Sequence, residues 1–256
     1  MTESTGETPA EIAVRTVWQR RRPDAVARIE ILEEATAALI EGRLDDELRR
    51  AGEEAAHKLS GSLGSFGYPR GSELAFLAEA ILGGDAEVQK EDALKLAEWI
   101  DEMWTEIEHP PGTSDATVKP AEPELVDTGK ASPDVVVVED DSILAELLLH
   151  GLRNAGYQPE WFDDGGKAVE ALTGADARLF PKVLLLDVDL PAVSGIGVLR
   201  AMAETGALER TRVIMLTAHA SEEETVKTFE LGAFDHVAKP FSLPVLLQRL
   251  RRALED

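Results

Sequence analysis

The run DVVVVEDDSILAELLLHGLRNAGYQPEWF, Asp134 to Phe162, decides the fold of the half of the chain that holds it. It opens on consecutive valines, a β-branched apolar run of strand length. Ser142–Ala155 then reads as a helix, and QPEWF, Gln158–Phe162, as a second strand. The same grammar continues in KVLLLD, RVIML and FDHVA, with helix-like stretches at Gly166–Thr173, Gly195–Thr205, Ser221–Leu231 and Ser242–Leu254 between and after them. Strands alternating with helices predict a doubly wound α/β domain, a five-stranded parallel sheet covered on both faces. In that architecture ligands bind at the carboxyl ends of the strands.

The N-terminal half is written differently. Thr8–Arg21 and Pro23–Glu41 are two expected helices, the second opened by proline in its first turn. Asp45–Phe66 is a third, with acidic residues at its start. Gly71–Leu82 and Ala86–His109 follow, divided by GGD, a stop and a cap residue, Asp85. No β-type alternation appears, so the expected fold here is an all-α antiparallel helical bundle. Between the halves, PPGTSDATVKPAEPELVDTGKASP is rich in proline and poor in large apolar residues, which reads as an extended linker. The expected organisation is a bundle at 1–109, a linker at 110–132 and an α/β domain at 133–256.

Composition narrows the functions. The chain of 256 residues has 26 basic and 49 acidic side chains, a net charge of −23. That balance argues against nucleic acid or an anionic membrane as a direct partner. Without cysteine there are no disulfides, zinc thiolates or cysteine nucleophiles. The N-terminus lacks a basic-then-apolar signal pattern and no apolar run is long enough to span a bilayer, so the expected location is cytoplasmic.

At the carboxyl edge of the expected sheet the chain places Glu139, Asp140 and Asp141 after the first strand, Asp187 at the end of the third, Thr217 at the end of the fourth and Lys239 after the fifth. Crowded carboxylates raise one another's pKa unless a cation neutralises them. Oxygen ligands with an incomplete shell suit magnesium. A lysine and a hydroxyl at the rim suit a transferring phosphoryl group, with Asp187 as carboxylate nucleophile. Asp141, directly before SILAELL, reads as a helix cap.

VVVVEDDSILAELL, KVLLLDVDLPAVSG, VIMLTAHA and VAKPF together resemble the receiver domain of two-component response regulators, over Asp134 to Leu254. The resemblance implies a CheY-like, flavodoxin-like (βα)5 fold in which Asp187 accepts the phosphoryl group. Asp140 would ligate Mg2+ directly, Glu139 through water, and the backbone carbonyl of Asp189 would complete the protein ligands. Thr217 and Lys239 would bind phosphoryl oxygens, beside a small Ala218, and Asp189 and His219 would influence phosphoryl lifetime. One departure is His236, where receivers usually carry Tyr or Phe whose rotation reports on the hydroxyl. The D-x-D of LLLDVDLP also looks like the nucleophile motif of haloacid-dehalogenase-type phosphatases. There, however, the motif belongs to the first strand and the metal pair comes late, the reverse of the order here.

In EAAHKLSGSLGSFG, Glu54–Gly67, the apolar stripe Leu48, Ala51, Ala55, Leu59, Ser62/Leu63 and Phe66 directs His57 to the opposite face, expected to be exposed. Gly61 and Gly64 continue that face, at a helix cost of roughly 0.5–1 kcal/mol each, and allow close approach by another protein. The segment resembles the phosphorylation helix of histidine phosphotransfer (Hpt) domains over Glu34–Leu82. By that resemblance His57 is the phosphohistidine and Gly61 the close-approach residue. The departure is Ser60, where such domains usually carry lysine; Lys58, Arg50 and Arg70 are the alternative cations.

The resulting expectation is a phosphorelay protein, not a turnover enzyme, in which His57 gives or receives phosphoryl groups in cis or in trans. Its partners would be a sensor histidine kinase and other receiver or Hpt proteins. Homodimerisation through the receiver is an analogy with many receivers. Two alternatives are a phosphorylation-independent adaptor and the regulatory front end of a longer regulator, for example a diguanylate cyclase.

Overall fold

The computed structural model describes residues 8–84, 88–109, 133–173, 177–218 and 222–255. The expected linker at 110–132, the expected cap Asp85, and Ser221 lie outside these described residues. Contacts divide the chain into two compact units, one from the described residues of Trp18–Thr117, the other from those of Met1–Val17 and Val118–Asp256.

The first helix, α1, runs without interruption over Pro9–Glu41 and contains Pro23. The two helices expected on either side of that proline are therefore one. A proline inside a helix costs about 3 kcal/mol by removing a donor and crowding the preceding turn. Pro23 is exposed, so water can satisfy the freed carbonyl, while Val17, Trp18, Ala25, Ile29, Leu32 and Leu39 continue one buried stripe across it. Burying such side chains is worth about 1.5–3 kcal/mol each, enough to outweigh the proline. At the start of the helix, Thr8 and Glu11 form a reciprocal capping box: Thr8 N–H donates to Glu11 Oε2 at 2.7 Å and Glu11 N–H to Thr8 Oγ1 at 3.3 Å.

Helix α2 spans Asp46–Leu63, capped by Asp45, which accepts from Leu48 N–H at 2.9 Å. It tightens into a 3-10 turn, Gly64–Phe66, and ends at Gly67, whose φ of 91° is left-handed. Helix α3, Pro69–Gly83, starts two residues before the expected Gly71, because Pro69 supplies a preset φ at the first helical position. The expected start at Ala86 lies outside the described residues; helix α4 spans Lys90–Glu108, and Gln89 and Asp92 form a capping box at its start. Tyr68, Leu59, Leu63, Leu74, Leu96, Met103 and Ile107 lie in the core of this unit. At Gly52 an added Cβ would lie 3.1 Å from both Ala35 Cβ and Leu82 Cδ1, so a small residue there lets the helices close up.

The second unit holds the expected α/β domain. Strands β1 Val135–Val138, β2 Pro159–Phe162, β3 Val183–Asp187, β4 Arg212–Thr217 and β5 Asp235–Ala238 form one parallel sheet ordered β2-β1-β3-β4-β5. Helices α5 Ser142–Asn154, α6 Gly165–Leu172, α7 Gly195–Glu204, α8 Glu222–Glu230 and α9 Leu243–Glu255 connect and follow the strands. β1 and β3 are buried at every position, as strands covered on both faces must be. The strand order reverses between β1 and β3, and it is there that a doubly wound sheet opens a crevice. Register aligns the carboxyl ends: Val138 pairs with Leu186, Asp187 with Leu216 and Thr217 with Ala238.

Candidate functional site

Alignment of the strand ends brings Glu139, Asp140, Asp187, Thr217 and Lys239 to one edge of the sheet, as the sequence predicts. Carboxylate oxygens of Glu139, Asp140 and Asp187 all lie within 4.8 Å of one another. Glu139 and Asp187 are 0% and 1% exposed, and Thr217 is buried. Lys239 reaches across from the end of β5: its Nζ is 2.8 Å from Glu139 Oε2 and 2.9 Å from Asp187 Oδ1. Neither oxygen of Asp187 accepts a well-directed hydrogen bond, so the contact with Lys239 is an ion pair in poor hydrogen-bond alignment. Asp141 caps α5, accepting from Ile143 N–H at 2.9 Å, and so takes the structural role expected of it.

The electrostatics follow from burial. Desolvation raises the Glu139 carboxyl well above its ordinary range, against the pull of Lys239. It raises Asp187 as well, with Asp189 and Asp140 adding like charge. Burial pulls the Lys239 ammonium down, but Glu139 and Asp187 more than reverse this and hold it as a cation. Glu139 and Asp187, two of the three clustered carboxylates, share Lys239. The unsatisfied oxygens of Asp187, the unsatisfied Glu139 Oε2 and the all-oxygen donor set fit a hard divalent cation such as magnesium. Asp189 is exposed directly beyond β3. Helix α7 approaches this turn so closely that a Cβ on Gly195 would sit 1.9 Å from the Asp187 carbonyl oxygen, which only glycine permits.

His236, on β5, packs against α8. Its Nε2 hydrogen-bonds Thr228 Oγ1 on α8, its ring lies 5.2 Å from that of Phe229, and its Nδ1 is buried without a partner. Thr228 Oγ1 donates to the carbonyls of Thr225 and Glu224 at 2.9 and 3.1 Å, so Nε2–H is the donor to Thr228. Burial lowers the His236 pKa, opposed by Asp235.

In the helical unit His57 is not the exposed residue that its helical position suggests. It is half-buried, and its Nδ1 lies 2.9 Å from Glu79 Oε1 on α3. Facing a carboxylate, Nδ1 is the donor, so the lone pair of the neutral imidazole lies on Nε2. The other oxygen, Glu79 Oε2, is buried without a partner. Gly61, expected on an exposed face, is buried, as are Ser60 and Ser62. The serines bond back to their own helix: Ser60 Oγ donates to His57 O at 2.9 Å and Ser62 Oγ to Lys58 O at 2.6 Å. Ser60 therefore turns inward rather than presenting a polar group beside the imidazole. Of the candidate cations, Lys58 pairs with Glu54 at 2.8 Å, and Arg70 pairs with Glu73 and Glu102 at 2.9 and 3.1 Å. Arg50 is exposed, seven residues before His57 on the same helix face.

Sequence reasoning missed Glu79. The available signal was a lone carboxylate inside the apolar run LAFLAEAILG, Leu74–Gly83.

Family comparison settles what the two units are. The response regulator receiver domain family matches residues 135–251, and the Hpt domain family matches residues 22–109. The chain joins an Hpt domain to a response regulator receiver domain. Both families belong to two-component phosphorelay signalling. About half of the chain is similar to the phosphate regulon transcriptional regulatory protein PhoB of Rhizobium meliloti, 39% identical over 122 residues, 48% of this chain and 52% of the relative. It is also similar to the transcriptional regulatory protein CutR of Streptomyces coelicolor, 38% identical over 117 residues, 46% of this chain and 51% of the relative. The chain spans about half the length of the curated relatives it matches. Among solved structures, chemotaxis protein CheY4 of Vibrio cholerae is 30% identical, with 48% of this chain and 100% of that one covered and a TM-score of 0.43. His219, which the receiver resemblance put beside the site, lies outside the described residues. Among the described residues no helix is long and apolar enough to cross a membrane.

Proposed function

We propose that the receiver takes a phosphoryl group onto Asp187 and that the Hpt domain carries one on His57. The observation that supports this best is the buried Asp187 carboxylate, poorly satisfied and 2.9 Å from Lys239. Glu139, Asp140 and Asp187, with the backbone carbonyl of Asp189, are the residues that would hold Mg2+. When bound, that ion supplies positive charge to the phosphoryl oxygens.

In the transfer, an Asp187 oxygen attacks phosphorus on a phosphohistidine of a kinase or an Hpt domain. The new P–O bond forms as the P–N bond breaks, and the electron pair of that bond stays on the imidazole nitrogen. The Lys239 ammonium offsets charge on the equatorial oxygens, and the Thr217 hydroxyl donates a hydrogen bond to one of them. In the reverse direction the Nε2 lone pair of His57 attacks the phosphorus of an aspartyl phosphate; the P–N bond forms as the P–O bond breaks, and its electron pair leaves on the aspartate carboxylate. Glu79, by holding Nδ1–H, keeps that lone pair on Nε2 and disperses the positive charge the ring gains on phosphorylation. Partners are therefore proteins bearing a phosphorylatable histidine or aspartate, reached in cis or in trans.

The test loads the full chain from a small-molecule acyl phosphate with Mg2+, beside Asp187→Ala and His57→Ala. Alkali-stable, acid-labile label lost in both variants supports transfer from Asp187 to His57. Alkali-labile label lost only in Asp187→Ala supports the receiver chemistry and directs His57 to other partners. Label that survives in Asp187→Ala refutes the proposal for the receiver.

A further inference from the structure

Trp161 stands in an unusual relation to the acidic site. It lies on the edge strand β2, in register with Val137, yet its indole reaches along β1 and donates Nε1–H to the backbone carbonyl of Glu139 at 2.8 Å. The backbone N–H of Glu139 donates to the carbonyl of Phe162 at 3.0 Å. Both main-chain polar groups of Glu139 are thus held by β2, one through the ladder and one through a side chain. Beyond this point the chain leaves the sheet, and the next residue is Asp140. A peptide clamped at Glu139 fixes where the Asp140 Cα starts and limits how far its carboxylate wanders from those of Glu139 and Asp187. The ring itself remains 38% exposed. An edge-strand aromatic with no better use for its N–H would turn it to water; this one gives it to the loop that carries two of the clustered carboxylates.

We infer that Trp161 is a positioning residue for the cation site, holding the Glu139–Asp140 peptide so that the carboxylates converge. This rests on the reading of Glu139, Asp140 and Asp187 as ligands of a divalent cation. Hydrogen bonds that orient ligands from behind are worth about tenfold or more in metal affinity, because without them the ligands must be ordered at the moment of binding. Trp161 is also the sole tryptophan in residues 133–256, the others being Trp18, Trp99 and Trp104. Its indole resonance in the α/β domain is therefore separable by mutation.

The experiment titrates the full chain with Mg2+ by calorimetry and follows the indole N–H resonances by NMR. Wild type is compared with Trp161→Phe and with a chain carrying a benzothiophene analogue of tryptophan, in which sulfur replaces the N–H. The expected result is about tenfold weaker Mg2+ binding in both altered chains. In wild type the Trp161 N–H resonance should shift with the same midpoint as the heat. The analogue keeps the ring and its packing, so the role survives a poorly folded Trp161→Phe. Equal Mg2+ affinity in wild type and analogue overturns the role of Trp161 while leaving the cation site standing. No saturable Mg2+ binding by wild type overturns the cation site, and the role of Trp161 with it.

Discussion

Removing the charge of Lys239 should destabilise the receiver domain strongly, and by an amount that depends on pH. The lysine side chain is 5% exposed and lies between the buried carboxylates of Glu139 and Asp187. Lys239→Met keeps most of the side-chain volume and leaves both carboxylates buried without their cation. Breaking one partner out of a buried ion pair costs about 3–5 kcal/mol. For a domain of this size that corresponds to roughly 10–20 °C in its calorimetric transition. Protonation caps the loss. Glu139 and Asp187 already have folded pKa values above the ordinary 4.5 and 3.8. Loss of Lys239 raises them further, so the folded variant binds more protons than its unfolded chain and its stability falls as pH rises through that window. Each carboxyl can recover about 1.4 kcal/mol per pH unit of acidification below its raised pKa. Scanning calorimetry of the full chain at pH 7 and pH 5 therefore predicts a large deficit at pH 7 that narrows at pH 5. A transition within about 2 °C of wild type at pH 7, or a deficit that does not narrow, would refute this account of the site.

Other expectations concern single contacts. Glu79→Ala should slow phosphorylation of His57 by on the order of tenfold to a hundredfold, the worth of a charge-assisted hydrogen bond, with Glu79→Gln retaining most of the rate. Nitrogen chemical shifts of the His57 ring should show Nδ1–H in wild type and mixed tautomers in the alanine variant. Tyr68 buries a hydroxyl with no partner, and burial raises its pKa to about 12. Tyr68→Phe keeps the ring packed 4.6 Å from that of Trp18 and should stabilise the helical unit by about 1 kcal/mol, read from its denaturant midpoint. Neutral His236, with a folded pKa below the ordinary 6.5, contributes stability present above that pH and lost as pH falls below it. His236→Phe should flatten the fall in the receiver's midpoint between pH 7.5 and 5.5; an unchanged slope would show that other groups cause it.

Elements whose signal is local were legible in the amino-acid sequence. Val135–Val138 and Val183–Asp187 read as buried strands because a sheet covered on both faces demands unbroken apolar runs. Glu139, Asp187, Thr217 and Lys239 could be gathered in advance because every strand of a parallel sheet ends on the same edge. Asp45 and Asp141 announced their helices by capping chemistry confined to a few residues. What remained hidden depends on which surfaces meet. Pro23 reads as a helix start from its own stereochemistry, yet the apolar stripe of α1 continues through it once its face is covered. Helical phase puts His57 opposite the stripe, but α3 packs against that side as well and brings Glu79, 22 residues along the chain, to the imidazole. The same packing buries Ser60 and Gly61. Lys239 meets Glu139 across 100 residues, and Trp161 meets the Glu139 carbonyl across 22. Periodicity and capping fix how a segment folds on itself; only the assembled tertiary structure decides which side chain stands opposite a histidine or a carbonyl, because that distance is set by packing between elements and by nothing within either one.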